Sequence, residues 1–236
     1  MAGILFIISA PSGSGKSTLV NQIRSLVDNL EFSVSYTTRA PRGSEEDGRE
    51  YHFITREAFE RMIQADEFLE YAEVFGNYYG TARRSLTDAT SRGKDLLLDI
   101  DVQGASQVRK RMPEAVSIFV MPPAPDILAT RLRNRSRAEG GVEEAVIERR
   151  LANAKQEIEN YREYSYILVN DILARAEEEL LAIVTSERVL REHPHLAPDE
   201  ERLMRLAESC RQEHIGDRIK PVLAAFGLLD PEKARA

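Results

Sequence analysis

The stretch that most constrains this chain lies near its start. An apolar run, Gly3-Ile4-Leu5-Phe6-Ile7-Ile8, passes into Ser9-Ala10-Pro11-Ser12-Gly13-Ser14-Gly15-Lys16-Ser17-Thr18 and then into Leu19-Val20-Asn21-Gln22-Ile23. The order predicts a buried strand, a tight loop of small residues and the first turn of a helix. Its spacing is that of the phosphate-binding loop G-x-x-x-x-G-K-[ST], with Ala10 in place of the first glycine, at the loop entrance. Gly13 and Gly15 let successive backbone N–H groups curl toward one point, and the positive end of the helix dipole adds to them. Lys16 can reach the β- and γ-phosphates, and the Ser17 hydroxyl can face Mg²⁺. Residues 10–18 are thus predicted to hold a nucleoside triphosphate.

Downstream, apolar runs alternate with helical patterns. Helices are predicted at residues 17–28 (with Leu19, Val20, Ile23, Leu26 and Val27 facing inward), 55–65, 83–92, 103–111, 125–137, 143–163 and 171–192. Strands are predicted at 32–36, 51–54, 68–75, 77–81, 95–101, 116–121 and 166–169. The alternation implies an α/β fold whose parallel sheet is covered on both faces. Residues 34–82 are richer in aromatics and strands, like a small insert, and no internal repeat or low-complexity tract is seen. A net charge of −7 over 236 residues gives the whole chain no electrostatic footprint for nucleic acid. The single Cys210 excludes an internal disulfide and fits a reducing compartment. Residues 4–8 are too short to span a membrane, and no basic leader precedes them, so a cytoplasmic protein is expected.

Other patches narrow the chemistry. Arg39 and Arg42 set two guanidinium forks around Pro41, suited to bidentate phosphate contacts, although a solvated basic turn reads equally well. Glu70 lies on a strand between Leu69 and Tyr71; such a carboxylate is ordinarily solvated, but Ser35, Tyr51, Tyr79 and Thr81 could surround it. Period two puts Asp99 and Asp101 on one side of their strand, at the carboxyl end where ligands bind an open sheet. One acid could hold Mg²⁺ and the other the acceptor. Arg131, Arg135, Arg149 and Arg150 flank Gly140-Gly141, as in a mobile cationic lid or a salt-bridged helix surface. His193 and His195, beside Pro194, read as a solvated turn rather than a metal pair.

Together these motifs resemble guanylate kinase. The resemblance is carried by the loop at residues 9–18, by Ser35-Tyr36-Thr37-Thr38-Arg39-Ala40-Pro41-Arg42 and by Asp47-Gly48-Arg49-Glu50-Tyr51. Phe68-Leu69-Glu70-Tyr71-Ala72, Gly76-Asn77-Tyr78-Tyr79-Gly80-Thr81 and Leu98-Asp99-Ile100-Asp101-Val102-Gln103-Gly104 extend it. So do Arg131-Leu132-Arg133-Asn134-Arg135, Glu148-Arg149-Arg150-Leu151 and Val169-Asn170-Asp171, in order over about residues 4–190.

The resemblance implies a P-loop NTPase three-layer fold. Its core would be residues 1–33, 83–134 and 151–190, with a nucleoside-monophosphate insert at 34–82 and a lid at 135–150. It implies transfer of the ATP γ-phosphoryl group to GMP, with Mg²⁺ at Ser17 and Asp99. Ala10, Pro11, Ser12, Gly13, Ser14, Gly15, Lys16, Ser17 and Thr18 would hold ATP, with Arg131 on its phosphates and Asn170 near adenine. Ser35, Glu70 and Thr81 would read guanine, assisted by Asp99 or Asp101, and Arg39, Arg42, Tyr51 and Tyr79 would hold the GMP phosphate. Lys16, Arg42, Arg135 and Arg150 would be the catalytic cations, a lid longer than the family's leaving Arg149 as the alternative to Arg150. A non-catalytic guanylate-kinase-like interaction module and a P-loop kinase for another phosphorylated acceptor, such as a ribose phosphate, are the competing readings. The tail at 191–236 carries an amphipathic pattern at 199–213 and reads as a homo-oligomer contact or as an extension packed back on the core.

Overall fold

The computed structural model describes residues 3–74, 76–138, 144–192 and 198–229. Phe75, the Gly140-Gly141 break, His193 and His195 lie outside them. Among the described residues the elements run β1 (Leu5–Ser9), α1 (Lys16–Leu26), β2 (Leu30–Phe32), β3 (Ser35–Thr37), β4 (Tyr51–Phe53), α2 (Arg56–Gln64), β5 (Phe68–Val74), β6 (Asn77–Ala82) and α3 (Arg83–Ser91). There follow β7 (Asp95–Asp99), α4 (Val102–Arg111), β8 (Val116–Met121), α5 (Pro125–Ala138), α6 (Glu144–Glu159) with a 3-10 turn at Asn160–Glu163, β9 (Tyr166–Val169), α7 (Leu173–Glu192), α8 (Pro198–Ser209) and α9 (Gly216–Ala225). The result is a mixed α/β chain with parallel strands and covering helices. None of the described helices is long and apolar enough to cross a membrane.

Residues group into two compact units, Met1–Ile8 with Asp28–Ser117, and Ser9–Val27 with Ile118–Ala236. In the first unit β2, β7 and β1 are parallel neighbours, Leu30 standing opposite Asp95 and Ile8 opposite Asp99. Every residue of β1 and the first four of β7 are buried, which explains why these strands read as unbroken apolar runs rather than alternating ones. A second sheet of the same unit has the order β4-β3-β6-β5, parallel between β3 and β4 and antiparallel elsewhere. Tyr36, Phe59, Phe68 and Ala82 form its core, with the Phe59 ring stacked on Phe68 at 4.3 Å and on Tyr78 at 5.1 Å. Thr55 starts α2 as its sequence signal predicts, its side chain accepting from the Ala58 N–H.

Residues 32–36 are not one strand. β2 ends at Phe32 and β3 begins at Ser35 in the other sheet. The alternation across Phe32–Tyr36 is real, but period two does not say which sheet a strand joins. Leu26, expected inside, is 56% exposed.

In the second unit β8 and β9 are parallel, with Ile118 opposite Tyr166 and Met121 opposite Val169. Helix α7 packs on α1 and α8. Helix α8 stops at Ser209, short of the expected 213, because Cys210–Gln212 extend alongside β9. Ile167 N–H donates to Cys210 O at 2.9 Å, and Gln212 N–H to Ser165 O at 3.0 Å. The tail is therefore packed back on its own unit through backbone hydrogen bonds.

Candidate active site

The phosphate loop belongs to the second unit. It leaves β1 after Ser9 and enters α1 at Lys16, with Ser14 N–H closing a turn onto Pro11 O at 3.1 Å. Gly13 and Gly15 stand at φ 88° and 89°, the left-handed region where a side chain would strain the backbone. A Cβ on Gly15 would also come within 2.3 Å of Asn170 Nδ2. That amide donates to Ser14 O at 2.7 Å. Arg131 Nη1 donates to the same carbonyl at 3.3 Å, and its Nη2 to Asn170 O at 3.0 Å. Arg131 and Asn170 thus brace the loop at Ser14 O, Asn170 being buried. Burial lowers the Arg131 pKa from its usual value. Ser14 Oγ is buried without a hydrogen-bond partner. Ser17 and Thr18 lie exposed on the first turn of α1.

Arg135 sits one turn beyond Arg131 on α5 and is exposed, as is Arg149 on α6, whereas Arg150 is half-buried. Arg133 ties the two helices together through Glu144, its Nε lying 3.1 Å from Oε1.

In the first unit Glu70 lies on β5 opposite Thr81 of β6. The register slips between Phe68 and Glu70, and such a bulge re-aims a side chain that alternation alone would point to solvent. Glu70 is only 3% exposed, buried rather than solvated as a carboxylate on a polar strand face ordinarily is. Thr81 hydrogen-bonds it, and Thr81 Oγ1 lies 3.4 Å from Ser35 Oγ. Asp101 is not on the strand with Asp99. It is the N-cap of α4, where its Oδ1 accepts from Gly104 N–H at 2.8 Å, a role favoured for aspartate just before a helix. Burial above all, and then the negative charge of Asp101, push the Glu70 pKa up to about 7, against the opposing pull of Thr81 and Arg111.

Helix α4 supports this carboxylate in ways that no motif announced. A Cβ on Gly104 would come 2.4 Å from Glu70 Oε2. The Gln107 amide pairs with the backbone of Tyr71, donating to its O at 2.6 Å and accepting from its N–H at 3.3 Å. Arg111 donates to Phe68 O at 3.1 Å and Leu69 O at 2.6 Å, across the bulge. Residues 104, 107 and 111 recur at the helical spacing that shares one face. That spacing was the available signal, though it looks the same on any packed helix.

Arg39, Tyr51 and Tyr79, which the resemblance assigns to the acceptor phosphate, lie close together. The Arg39 guanidinium lies over the Tyr51 and Phe53 rings at 5.4 and 5.8 Å, and the Tyr51 and Tyr79 rings are 5.8 Å apart. Its fork is engaged by Glu45, a residue the sequence reading passed over: Nη1 donates to Oε2 at 2.9 Å and Nη2 to Oε1 at 3.0 Å. Burial works against the Arg39 charge, but Glu45 and Tyr79 outweigh it and hold its pKa above the usual value. Those hydrogen bonds in turn keep the Glu45 carboxyl below the ordinary range. Arg42 is exposed, and Asp99 stands half-buried at the end of β7.

A parallel strand, a loop with two left-handed glycines and Gly-Lys-Ser-Thr opening a helix define a P-loop nucleotide-binding α/β protein. The family model described as guanylate kinase matches residues 3–187, and the chain belongs to the guanylate kinase family. A guanylate kinase of Koribacter versatilis is 53% identical over 226 residues, covering 96% of this chain and 97% of its own length, so the similarity takes in the packed-back tail. A guanylate kinase of Neisseria meningitidis is 50% identical over 80% of this chain and 90% of its own. The crystal structure of guanylate kinase from Anaplasma phagocytophilum superposes with a TM-score of 0.62 at 34% identity, covering 82% of this chain and 88% of that one.

Proposed function

We infer that this protein transfers the γ-phosphoryl group of ATP to GMP, giving ADP and GDP, and that it works in the cytoplasm. The observation that carries the choice of acceptor is Glu70, a carboxylate buried beside Thr81, Ser35 and Asp101. Guanine offers N1–H and N2–H₂ as neighbouring donors that one carboxylate can accept together. Adenine would leave the carboxylate unpaired, and hydrogen bonds to a charged group are worth roughly 1.5–3 kcal/mol each.

In this reading Ser35, Glu70, Thr81 and Asp101 read the base, while Arg39, Arg42, Tyr51 and Tyr79 hold the acceptor phosphate. The loop from Ala10 to Thr18 holds the ATP phosphates, with Arg131 and Asn170 keeping the loop in shape. Residues 34–82 form the acceptor insert and 135–150 the lid. An oxygen of the GMP phosphate forms the new bond to Pγ as the bond from Pγ to the β-phosphate oxygen breaks. The nucleophile is already anionic, so no general base is needed. What remains is to align two polyanions and neutralise them, the task of Lys16, Arg42, Arg135 and Arg150. The Ser17 hydroxyl and the Asp99 carboxylate are each hard oxygen donors, the kind that Mg²⁺ prefers. When bound, the ion would supply positive charge to offset the charge that develops on the phosphates.

Coupled ADP release with MgATP and GMP, AMP, CMP, UMP or ribose phosphates tests the reading. Turnover is expected with GMP alone, and Glu70→Gln should lower kcat/KM for GMP by about 10²–10³-fold, the worth of one to two charged hydrogen bonds. ATP binding without turnover of any acceptor would overturn it in favour of an interaction module.

A further inference from the structure

We propose that Glu45 is the positioning residue of the acceptor-phosphate clamp, fixing the guanidinium of Arg39 and the loop that carries Arg42. The proposal rests on the reading that Arg39 and Arg42 hold the phosphate of GMP. A guanidinium has five N–H donors in a rigid fork. Both N–H groups of Nη1 are taken, one by Glu45 Oε2 at 2.9 Å and the other by Ala40 O at 2.6 Å. One N–H of Nη2 goes to Glu45 Oε1 at 3.0 Å. Glu45 and Ala40 therefore take the end of the fork and leave its side edge, Nε with the second N–H of Nη2, outside their pairing, while Tyr79 of the same proposed phosphate site also hydrogen-bonds this guanidinium. Two parallel donors on one edge are the geometry that grips a phosphate bidentately.

Glu45 is itself held independently of Arg39. Its Oε2 accepts from Arg42 N–H at 2.8 Å, and its own N–H donates to Arg42 O at 3.0 Å, so the turn at 42–45 is closed from both sides. One carboxylate thus joins the guanidinium of Arg39 to the backbone of Arg42. The rings of Tyr51 and Phe53 lie near the same guanidinium, whose side chain is only 10% exposed. A carboxylate that merely stood in for the phosphate would need no second anchor. It would be expelled by substrate, and its removal would tighten binding.

The two behaviours differ in sign. Full-length wild type, Glu45→Gln, Glu45→Asp and Arg39→Met are compared for the KM of GMP and of ATP, kcat, and calorimetric affinity for guanosine, which lacks the phosphate. Positioning predicts a KM for GMP raised about tenfold in Glu45→Gln and partly restored in Glu45→Asp. The KM for ATP and the affinity for guanosine should stay within twofold of wild type. An unchanged or lowered KM for GMP in Glu45→Gln overturns the proposal, as does an equal loss of guanosine affinity, which would mark a general collapse of the site. If Arg39→Met raises the KM for GMP while Glu45→Gln does not, only the Glu45 proposal fails. If Arg39→Met changes nothing, the reading of the clamp falls with it.

Discussion

Glu70 is the residue at which stability and recognition conflict. A carboxyl buried at 3% exposure beside the Asp101 carboxylate is poorly placed to be charged, yet the proposed pairing with guanine requires it charged. Its folded-state pKa of about 7 lies above the ordinary glutamate value, so between those two pH values the native chain holds the extra proton. Stability is then expected to fall as pH rises through that window and to level off above pH 7. Glu70→Gln should be more stable than wild type at pH 8 and lose that advantage by pH 4, as thermal unfolding at the two pH values would show. GMP binding selects the ionised form, so near pH 6.5 it should release a proton that the glutamine variant does not release. Calorimetry in two buffers of different ionisation enthalpy reads that difference directly, and subtracting the variant removes the contribution of the GMP phosphate itself. Equal proton release in both proteins would contradict the assignment.

At the scale of elements, α4 decides whether Glu70 is in place. An isolated glycine in a helix destabilises it by about 1 kcal/mol relative to alanine, so Gly104→Ala on a plain helix surface would stabilise the protein. Here the new Cβ would lie 2.4 Å from Glu70 Oε2, and the carboxylate must move. The expected outcome is a KM for GMP raised at least tenfold with little change in the KM for ATP, whose loop belongs to the other unit. An unchanged KM for GMP would show that the carboxylate position does not matter.

The same element shows what could be read from letters. Strands β5 and β6, the Thr55 cap and the phosphate loop follow from local patterns and were legible. The bulge before Glu70 was not, because a one-residue slip in register leaves no trace in composition yet turns a side chain from one face to the other. Period two places Asp101 on the strand with Asp99, whereas aspartate before Val102-Gln103-Gly104 is also an N-cap signal; the two local rules compete, and the helix prevails. Glu45 is tied to Arg39 by geometry across a loop, which spacing alone does not reveal.

The packed-back tail covers β9 within the second unit. Without Cys210–Gln212, the side of β9 away from β8 would present unpaired backbone groups, a template for unwanted pairing. Tyr166 of β9 donates its hydroxyl to Glu187 at 2.6 Å, and Arg211 of the tail lies over the Tyr166 ring at 4.8 Å. The tail is pinned more deeply by Arg218 of α9, which forks onto Glu179 of α7, Nη2 lying 3.1 Å from Oε2. The Glu179 side chain is 2% exposed and that of Arg218 28%. Burial raises the Glu179 pKa, with Arg218 the main group opposing it. Removing the cation alone would strand a buried carboxylate. Arg218→Met is therefore expected to destabilise the protein by about 3 kcal/mol at pH 8. For a chain of this size that lowers Tm by roughly 6–12 °C. The sign of the pH dependence follows from the same groups: without Arg218 the carboxyl takes up a proton more readily, so the deficit should shrink as pH falls. Adding Glu179→Gln removes the stranded charge and should restore most of the lost Tm at pH 8, whereas additive losses in the double variant would show that the two side chains act independently. Because none of these residues belongs to the nucleotide-binding set, the KM for GMP in the single variant should match wild type at any temperature where it remains folded.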